Sequence, residues 1–237
     1  MNKFSKLYEG KAKILYKTDD PAIYIQYFKD DMTAFNAQKK AVVGNKGILN
    51  NQFSGFIFEM LGGSGIKTHY IKKLNDREMA VRALEIIPLE VVMRNRIAGS
   101  LAKRLGMEEG KMLATPMLEF FYKNDALGDP MVSESGAISL GWLTEAELAE
   151  IQRNAFKICK LLTDFFSERG IDLVDFKLEF GKDREGNMYL ADEISPDSCR
   201  LWEKGTQRKL DKDVFRRDLG NVTEAYEKVS QMIGIEI

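Results

Sequence analysis

In the run LVDFKLEFG at 173–181, apolar and charged residues alternate from Val174 to Phe180. Successive side chains of a strand point to opposite faces. Asp175, Lys177 and Glu179 therefore share one face, and Val174, Phe176, Leu178 and Phe180 the other. The apolar face has to pack on the body of a domain, and the charged face has to meet solvent, a ligand or a cleft. After GKDREGN the chain returns as MYLADEIS, which predicts a hairpin. A two-residue loop at Glu185-Gly186 sets Glu179 opposite Asp192, and one at Arg184-Glu185 sets Lys177 opposite Asp192. Either keeps Asp192 on the charged face, whereas a three-residue loop turns it away. Facing carboxylates repel unless a cation lies between them. Oxygen donors without histidine or cysteine suit magnesium. The competing reading is a solvated strand face neutralised by Lys177.

Composition narrows the chemistry further. A single histidine, His69, argues against a histidine-based zinc site or a Ser-His-Asp triad. It reads as an ordinary strand residue in IKTHYI. Cys159 and Cys199 lack metal-ligand spacing and read as free thiols in a reducing compartment. The 35 basic and 36 acidic side chains nearly cancel, so no global field attracts nucleic acid or an anionic membrane. Met1 opens a polar segment and no apolar run reaches spanning length. Neither a signal peptide nor a membrane helix is expected, and a cytoplasmic location is. Carboxylates, lysines, arginines and a hard cation are what remain.

The pattern along the 237 residues predicts an α+β fold with a cleft between two portions. Residues 1–86 read as a mostly antiparallel β domain with one helix. LYEGKAKILYKT and AIYIQYFKDD form its first hairpin, and LNNQFSGFIFEML is a helix stopped at GGSG. Residues 87–237 read as a larger α+β domain. It holds the strand LEVVMRNRI, a short helix after Gly99, an irregular stretch from Met107 to Trp142, and closing helices near 211–219 and 222–233. The surest helix begins at Thr144 and Glu147, a capping box. Its apolar stripe is Leu148, Ile151, Ala155, Ile158 and Leu162, and Gly170 ends it.

Several segments could hold phosphate. Lys11 and Lys13 follow Gly10, which lets the backbone approach closely. Two exposed strand lysines are the plainer reading. In RNRIAGSLAKRLG, Arg94 and Arg96 end a strand and Ser100 sits at a helix start, where free N–H groups favour an anion. Lys103 and Arg104 are expected to face solvent. GGSG at 62–65 lacks the context of a phosphate loop and reads as a turn. QRKLDKDVFRR is expected to be a solvated helix, its Asp211 and Asp213 offsetting the basic residues, with one arginine reaching the cleft.

IIPLEVVMRNRIAGS and LVDFKLEFG resemble the two signature segments of the SAICAR synthetase family of purine biosynthesis. LYEGKAKILY, GNKGILNNQFS, FFYKNDALGDPMVSE and DEISPDSCRLW also resemble family blocks, in family order. The resemblance spans essentially the whole chain. It implies a ligase with an ATP-grasp or kinase-like cleft between a β-rich N-terminal domain and a larger C-terminal one. Such enzymes join L-aspartate to the carboxylate of carboxyaminoimidazole ribonucleotide (CAIR), giving SAICAR, ADP and phosphate. Carried over by motif, Lys11, Lys13 and Lys123 contact ATP phosphates, and Glu179 and Asp192 hold Mg2+. Adenine lies on Leu15, Ala83 and Leu84. Arg94, Ser100 and Arg200 bind the ribonucleotide, with Asn36 and Arg216 as further substrate contacts. Asp175, Lys177 and Asp197 line the acceptor site. Ala37 stands where similar sequences carry glycine. The family is often dimeric or larger, so a homodimer is an expectation.

Two other classes fit parts of this pattern. A small-molecule kinase would share the cleft and the first phosphoryl transfer. A nucleotide- or RNA-binding module would lack chemistry, but the carboxylate cluster would repel a nucleic-acid backbone. DFK at 175–177 is not the protein-kinase DFG, and no HRD-type loop exists.

Overall fold

The computed structural model describes residues 2–35 and 38–236. Its smaller sheet runs β1 (Lys3–Glu9), β2 (Lys13–Thr18), β3 (Ile23–Phe28), β7 (Glu78–Arg82), β6 (Tyr70–Lys73), with every neighbour antiparallel. Its own buried cluster is small, made of Phe28, Met79 and Val81. The strand predicted through Asp31 stops at Phe28, and Asp31 instead opens a separate hairpin, β4 (Asp31–Ala34) and β5 (Lys39–Val42). α1 (Lys46–Gly63) follows. Its Phe53, Ile57, Phe58 and Leu61 enter the main core, while Leu49 packs with Met32, Val214 and Tyr226. A helix apolar on most sides must be buried on most sides. This one lies against both sheets' surroundings.

The larger sheet is built on the twelve-residue strand β12 (Ile171–Lys182). Along one edge run β9 (Leu89–Arg96) and the short β8 (Glu85–Ile86). Along the other run β14 (Cys199–Glu203) and β13 (Met188–Ala191). β10 (Met112–Tyr122) and β11 (Met131–Val132) extend the sheet beyond β9. β10 overturns the expectation of an irregular stretch. Pro116 falls where the pairing with β9 shifts register between Met112 and Met117, a place where a missing N–H costs no ladder bond.

The helices are α2 (Gly99–Leu105), α3 (Glu134–Ser139), α4 (Glu145–Ser167), α5 (Asp213–Arg216) and α6 (Val222–Met232). α4 carries the predicted capping box. Its stripe of Leu148, Ile151, Ala155, Ile158 and Leu162 shares one buried cluster with Phe176, Leu178 and Phe180 of β12. Val174 departs from that face. A register shift between Leu173 and Asp175 against β14 puts Leu173 in the main core and Val174 with Ala98 and Trp202. Among the described residues, no helix is long and apolar enough to cross a membrane.

Candidate active site

With α4 covering its apolar face, β12 turns Asp175, Lys177 and Glu179 toward the cleft. The hairpin register there is Glu179 opposite Ala191 and Phe180 opposite Leu190, the three-residue-loop arrangement. Neither two-residue register holds. Simple alternation would then point Asp192 away. Asp192 lies just beyond β13, however, with φ of 64°, and this left-handed backbone breaks the alternation. Its side chain returns to the charged face and pairs with Lys13 and, at 3.1 Å, with Lys177. Asp192 thus reaches the predicted place by a different route.

Around it three lysines interleave with four carboxylates. Lys177 pairs with Glu179, with Asp192 and, at 3.3 Å, with Glu90. Lys123 takes the other oxygen of Glu179, and Lys13 lies 2.9 Å from Glu193 as well as on Asp192. At Lys13, Lys177 and Asp192 burial disfavours the charge, and the mutual attraction overrides it. Lys13 and Lys177 hold the Asp192 carboxyl well below the usual carboxylate range. Asp192 and Glu193 likewise keep Lys13 above the ordinary lysine value. Glu90 is the exception: burial, with Glu179 adding repulsion, raises its pKa despite Lys177.

Four hollows adjoin along this wall. The first, about 420 Å³, is mostly apolar and is lined by Leu15, Tyr24, Val81, Leu84, Ile86 and Pro88. Ala83 does not line it; its N–H is spent on the Ala22 carbonyl at 2.8 Å. The second, sharing Lys13, Lys123, Glu179 and Asp192 with the first, adds Gly10, Lys11 and Lys177. Lys11 reaches across it to Asp125 at 2.6 Å. The third, about 370 Å³, holds Arg94, Asp175, Lys177, Asp197, Arg200 and Arg216. The fourth shares Arg200 and Arg216 with it and adds Ser100, Lys103 and Arg217. Asn36 lies outside the described residues; its neighbour Phe35 lines the third and fourth hollows.

The arginines are more deeply engaged than their sequence position suggests. Arg94, 3% exposed, donates to Glu119 at 2.7 Å, to Asp175 at 2.8 Å and to the Ser100 hydroxyl at 3.0 Å. Arg200 forks onto both Asp175 oxygens and donates through Nε to Asp213 at 3.0 Å. Gly99 makes room for it. Its φ is 54°, and a Cβ there would come within 2.3 Å of the Arg200 guanidinium. Arg104 is exposed, as expected, and its guanidinium also pairs with the buried Glu119. One expectation fails nearby. Asp211 and Asp213 are not a solvated face but are buried, Asp213 beneath Arg200 and Arg216 and Asp211 accepting the Leu201 and Asp213 N–H groups at 2.8 and 2.7 Å.

Sequence reasoning also passed over Lys46, Glu90, Glu193, Lys212 and Tyr226. Lys46 is the clearest case. It is 1% exposed at the start of α1 and donates to Asp197 at 2.9 Å and to the Asp31 carbonyl at 2.8 Å. The Tyr226 hydroxyl takes the other Asp197 oxygen at 2.6 Å. A lysine within the block GNKGILNN, at the mouth of an apolar helix, was the available signal. Lys212, Lys46 and Tyr226 hold the Asp197 pKa well below its ordinary value, although burial opposes them.

These carboxylates have opposite consequences for stability. Asp192 and Asp197 have depressed folded-state pKa values, so their contribution is full above the ordinary aspartate range and is lost as pH falls through those values. Asp211 is pushed up from 3.8 to about 7 by burial and by Asp213. The folded state therefore retains a proton that the unfolded chain releases, and stability falls as pH rises from 3.8 to about 7, levelling above it. The isotope-edited infrared carboxyl band of Asp211 should show a protonated acid at about pH 5 and a carboxylate at about pH 9. An ionised band at the lower pH would contradict this assignment.

A nucleoside-sized apolar hollow opening onto interleaved lysines and carboxylates, and then onto arginines, is the geometry of a nucleotide-dependent enzyme acting on an acidic substrate. The SAICAR synthetase family model matches residues 6–233. The chain belongs to the SAICAR synthetase family. A phosphoribosylaminoimidazole-succinocarboxamide synthase of Desulfitobacterium hafniense is 58% identical over 233 residues, covering 98% of each chain. Another from Wolbachia pipientis is 53% identical and covers 98% of this chain and 97% of its own length. The crystal structure of the Ehrlichia chaffeensis enzyme of that name superimposes with a TM-score of 0.96 at 50% identity, over 98% of this chain and all of the other. A SAICAR synthetase in complex with ADP gives a TM-score of 0.93 at 49% identity, over 96% of this chain and 97% of that one.

Proposed function

We propose that this SAICAR synthetase family ligase uses ATP to join L-aspartate to the carboxylate of CAIR, releasing SAICAR, ADP and phosphate. The observation that carries the reading is the order of the hollows along one cleft. An apolar nucleoside site comes first, then a lysine-rich phosphate site, then an arginine-rich acceptor site. In this reading a γ-phosphoryl group lies between its donor and a carboxylate acceptor.

A carboxylate resists attack by an amine because its charge and resonance disfavour a nucleophile. Phosphorylation gives an acyl phosphate, the aspartate amine attacks its carbonyl, and phosphate departs. In this reading Lys11, Lys13 and Lys123 neutralise ATP phosphates, and adenine rests on Leu15 and Leu84. Lys177 bridges donor and acceptor sites. Arg94, Ser100, Arg200 and Arg216 hold the ribonucleotide, and Asp175 and Asp197 order the arginines and lysines around it. The chain's work is to position and neutralise, which suits a phosphoryl-transfer transition state.

Magnesium fits the donor set. In this structure the Lys177 ammonium, itself a cation, lies between Glu179 and Asp192. Among the described residues no group of three acidic, histidine or cysteine side chains could hold a metal unaided. Mg2+ is commonly held by one or two carboxylates together with substrate phosphates. Glu179 and Asp192 would hold it, and bound there it would neutralise charge developing on the phosphates.

We assign residues 1–86 to a nucleotide-binding domain and 87–237 to the domain carrying the metal and ribonucleotide sites, with the active form a cytoplasmic homodimer. An assay of ADP release with ATP, Mg2+, CAIR and L-aspartate, omitting each in turn, tests the activity. Full ADP release without aspartate would favour a kinase instead.

A further inference from the structure

Asp192 is held through its backbone as well as its side chain. Its φ of 64° lies in the left-handed region, where a residue with a Cβ stays only if its surroundings impose it. The sheet does not impose it, because β13 ends at Ala191, the last residue in register with β12. Beyond that point side chains take the carbonyls one at a time. Gln26 of β3 donates through Nε2 to the Asp192 carbonyl at 3.3 Å. The Ser198 hydroxyl donates to the Glu193 carbonyl at 3.3 Å, and the Ser54 hydroxyl of α1 to that of Ile194 at 3.1 Å. Among the described residues no backbone N–H reaches the Asp192 carbonyl.

Gln26 is the unexpected member of this set. It is 4% exposed, pairs in register with Leu15, and faces the apolar hollow with Leu15, Tyr24 and Val81. Leucine or methionine would fill that place without burying an amide, which costs stability unless it is hydrogen-bonded. Lys13, two residues before Leu15 on β2, pairs with the Asp192 carboxylate. The smaller sheet therefore grips one residue of the larger domain at two points, carbonyl and carboxylate. Leu190, two residues earlier, is tied to the approach to β6. It donates to the Lys67 carbonyl at 2.9 Å and accepts from the His69 N–H at 2.8 Å. With the peptide so fixed, the left-handed turn aims the carboxylate at the charged face. A peptide relaxed to extended backbone would follow strand alternation and carry it away from Glu179 and Lys177.

We propose that Gln26 is a positioning residue, holding the Asp192 carbonyl so that the left-handed backbone sets this carboxylate beside Glu179 for the divalent ion. It acts through Asp192 rather than on the phosphates. The assignment rests on the metal role proposed above for Glu179 and Asp192.

Calorimetric titration of ADP into the full-length Gln26→Met enzyme, with and without Mg2+, tests the assignment. Methionine keeps the length of the side chain and the filling of the hollow, and removes the donor. ADP affinity without metal should stay within about twofold of wild type. Its enhancement by Mg2+ should fall about 3- to 10-fold, the weight of one neutral hydrogen bond. In steady-state assays kcat should fall by a similar factor while the KM for CAIR holds. Amide hydrogen exchange gives a readout free of metal and turnover. Residues 192–194 should exchange about 3- to 10-fold faster in the variant, with α4 unchanged. Gln26→Leu replaces Gln26→Met if the latter fails to fold. Unchanged exchange at 192–194, or lost metal-free ADP affinity with the Mg2+ enhancement intact, would overturn the assignment, the second outcome making Gln26 a nucleoside contact. Wild-type enzyme whose ADP affinity ignores Mg2+ would instead overturn the metal role on which it rests.

Discussion

Glu179→Gln or Asp192→Asn should lower ADP release at ordinary magnesium by on the order of 100- to 1,000-fold while leaving the fold intact. Both carboxylates point at one cation, Lys177, and each also holds a further lysine that lines the second hollow. In the proposed site, neutralising either removes an oxygen donor for the divalent ion. It also frees Lys13 or Lys123 from a partner, so a raised magnesium requirement should accompany the lost rate. Titration calorimetry of ADP with and without Mg2+ separates the two effects. ADP binding without metal should be retained or strengthened, and its enhancement by Mg2+ should disappear. Near-normal rates at ordinary magnesium would remove the metal role from this pair.

Arg94→Ala should cost stability as well as substrate affinity. Arg94 lies between Glu119 and Asp175, and all three side chains are at most 5% exposed. Removing one member of a buried ion cluster typically costs about 3–5 kcal/mol, because the remaining charges lose their compensation. Here Asp175 keeps Arg200 and Glu119 keeps Arg104, so the lower end applies. About 3 kcal/mol corresponds to a fall in Tm of roughly 6–12 °C for a chain of this size. Calorimetric unfolding checks it, and Arg94→Lys should recover little, since an ammonium cannot reproduce three directed donors. The KM for CAIR should rise more than that for ATP. A Tm within about 1 °C of wild type would show that Arg200 and Arg104 fully replace Arg94.

Elements set by local periodicity were legible in advance. α4 could be read from its capping box and stripe, and β12 from strict alternation, because in each the residue spacing states which face must be buried. The charged face of β12 identified three cleft residues directly. β10 was not legible, since Pro116 interrupts a pattern that only pairing with β9 completes. Asp211 and Asp213 were misread for a related reason. Charge spacing looks the same whether a carboxylate meets water or a buried N–H, and the difference lies in the distant Leu201 and Arg200.

By itself, the sequence determined which side chains were available for the chemistry: an alternating charged strand, clustered lysines and arginines, one histidine and no paired cysteines. It also determined the family, through ordered motifs along the chain. Tertiary structure alone decided which of these charges meet. Asp192 faces Lys177 because of one left-handed residue past a strand end, and Lys46 finds Asp197 across 151 positions. The physical reason is that a charge's environment is set by whatever the fold brings within a few ångströms of it, and contacts so distant in the chain leave no periodic trace in it.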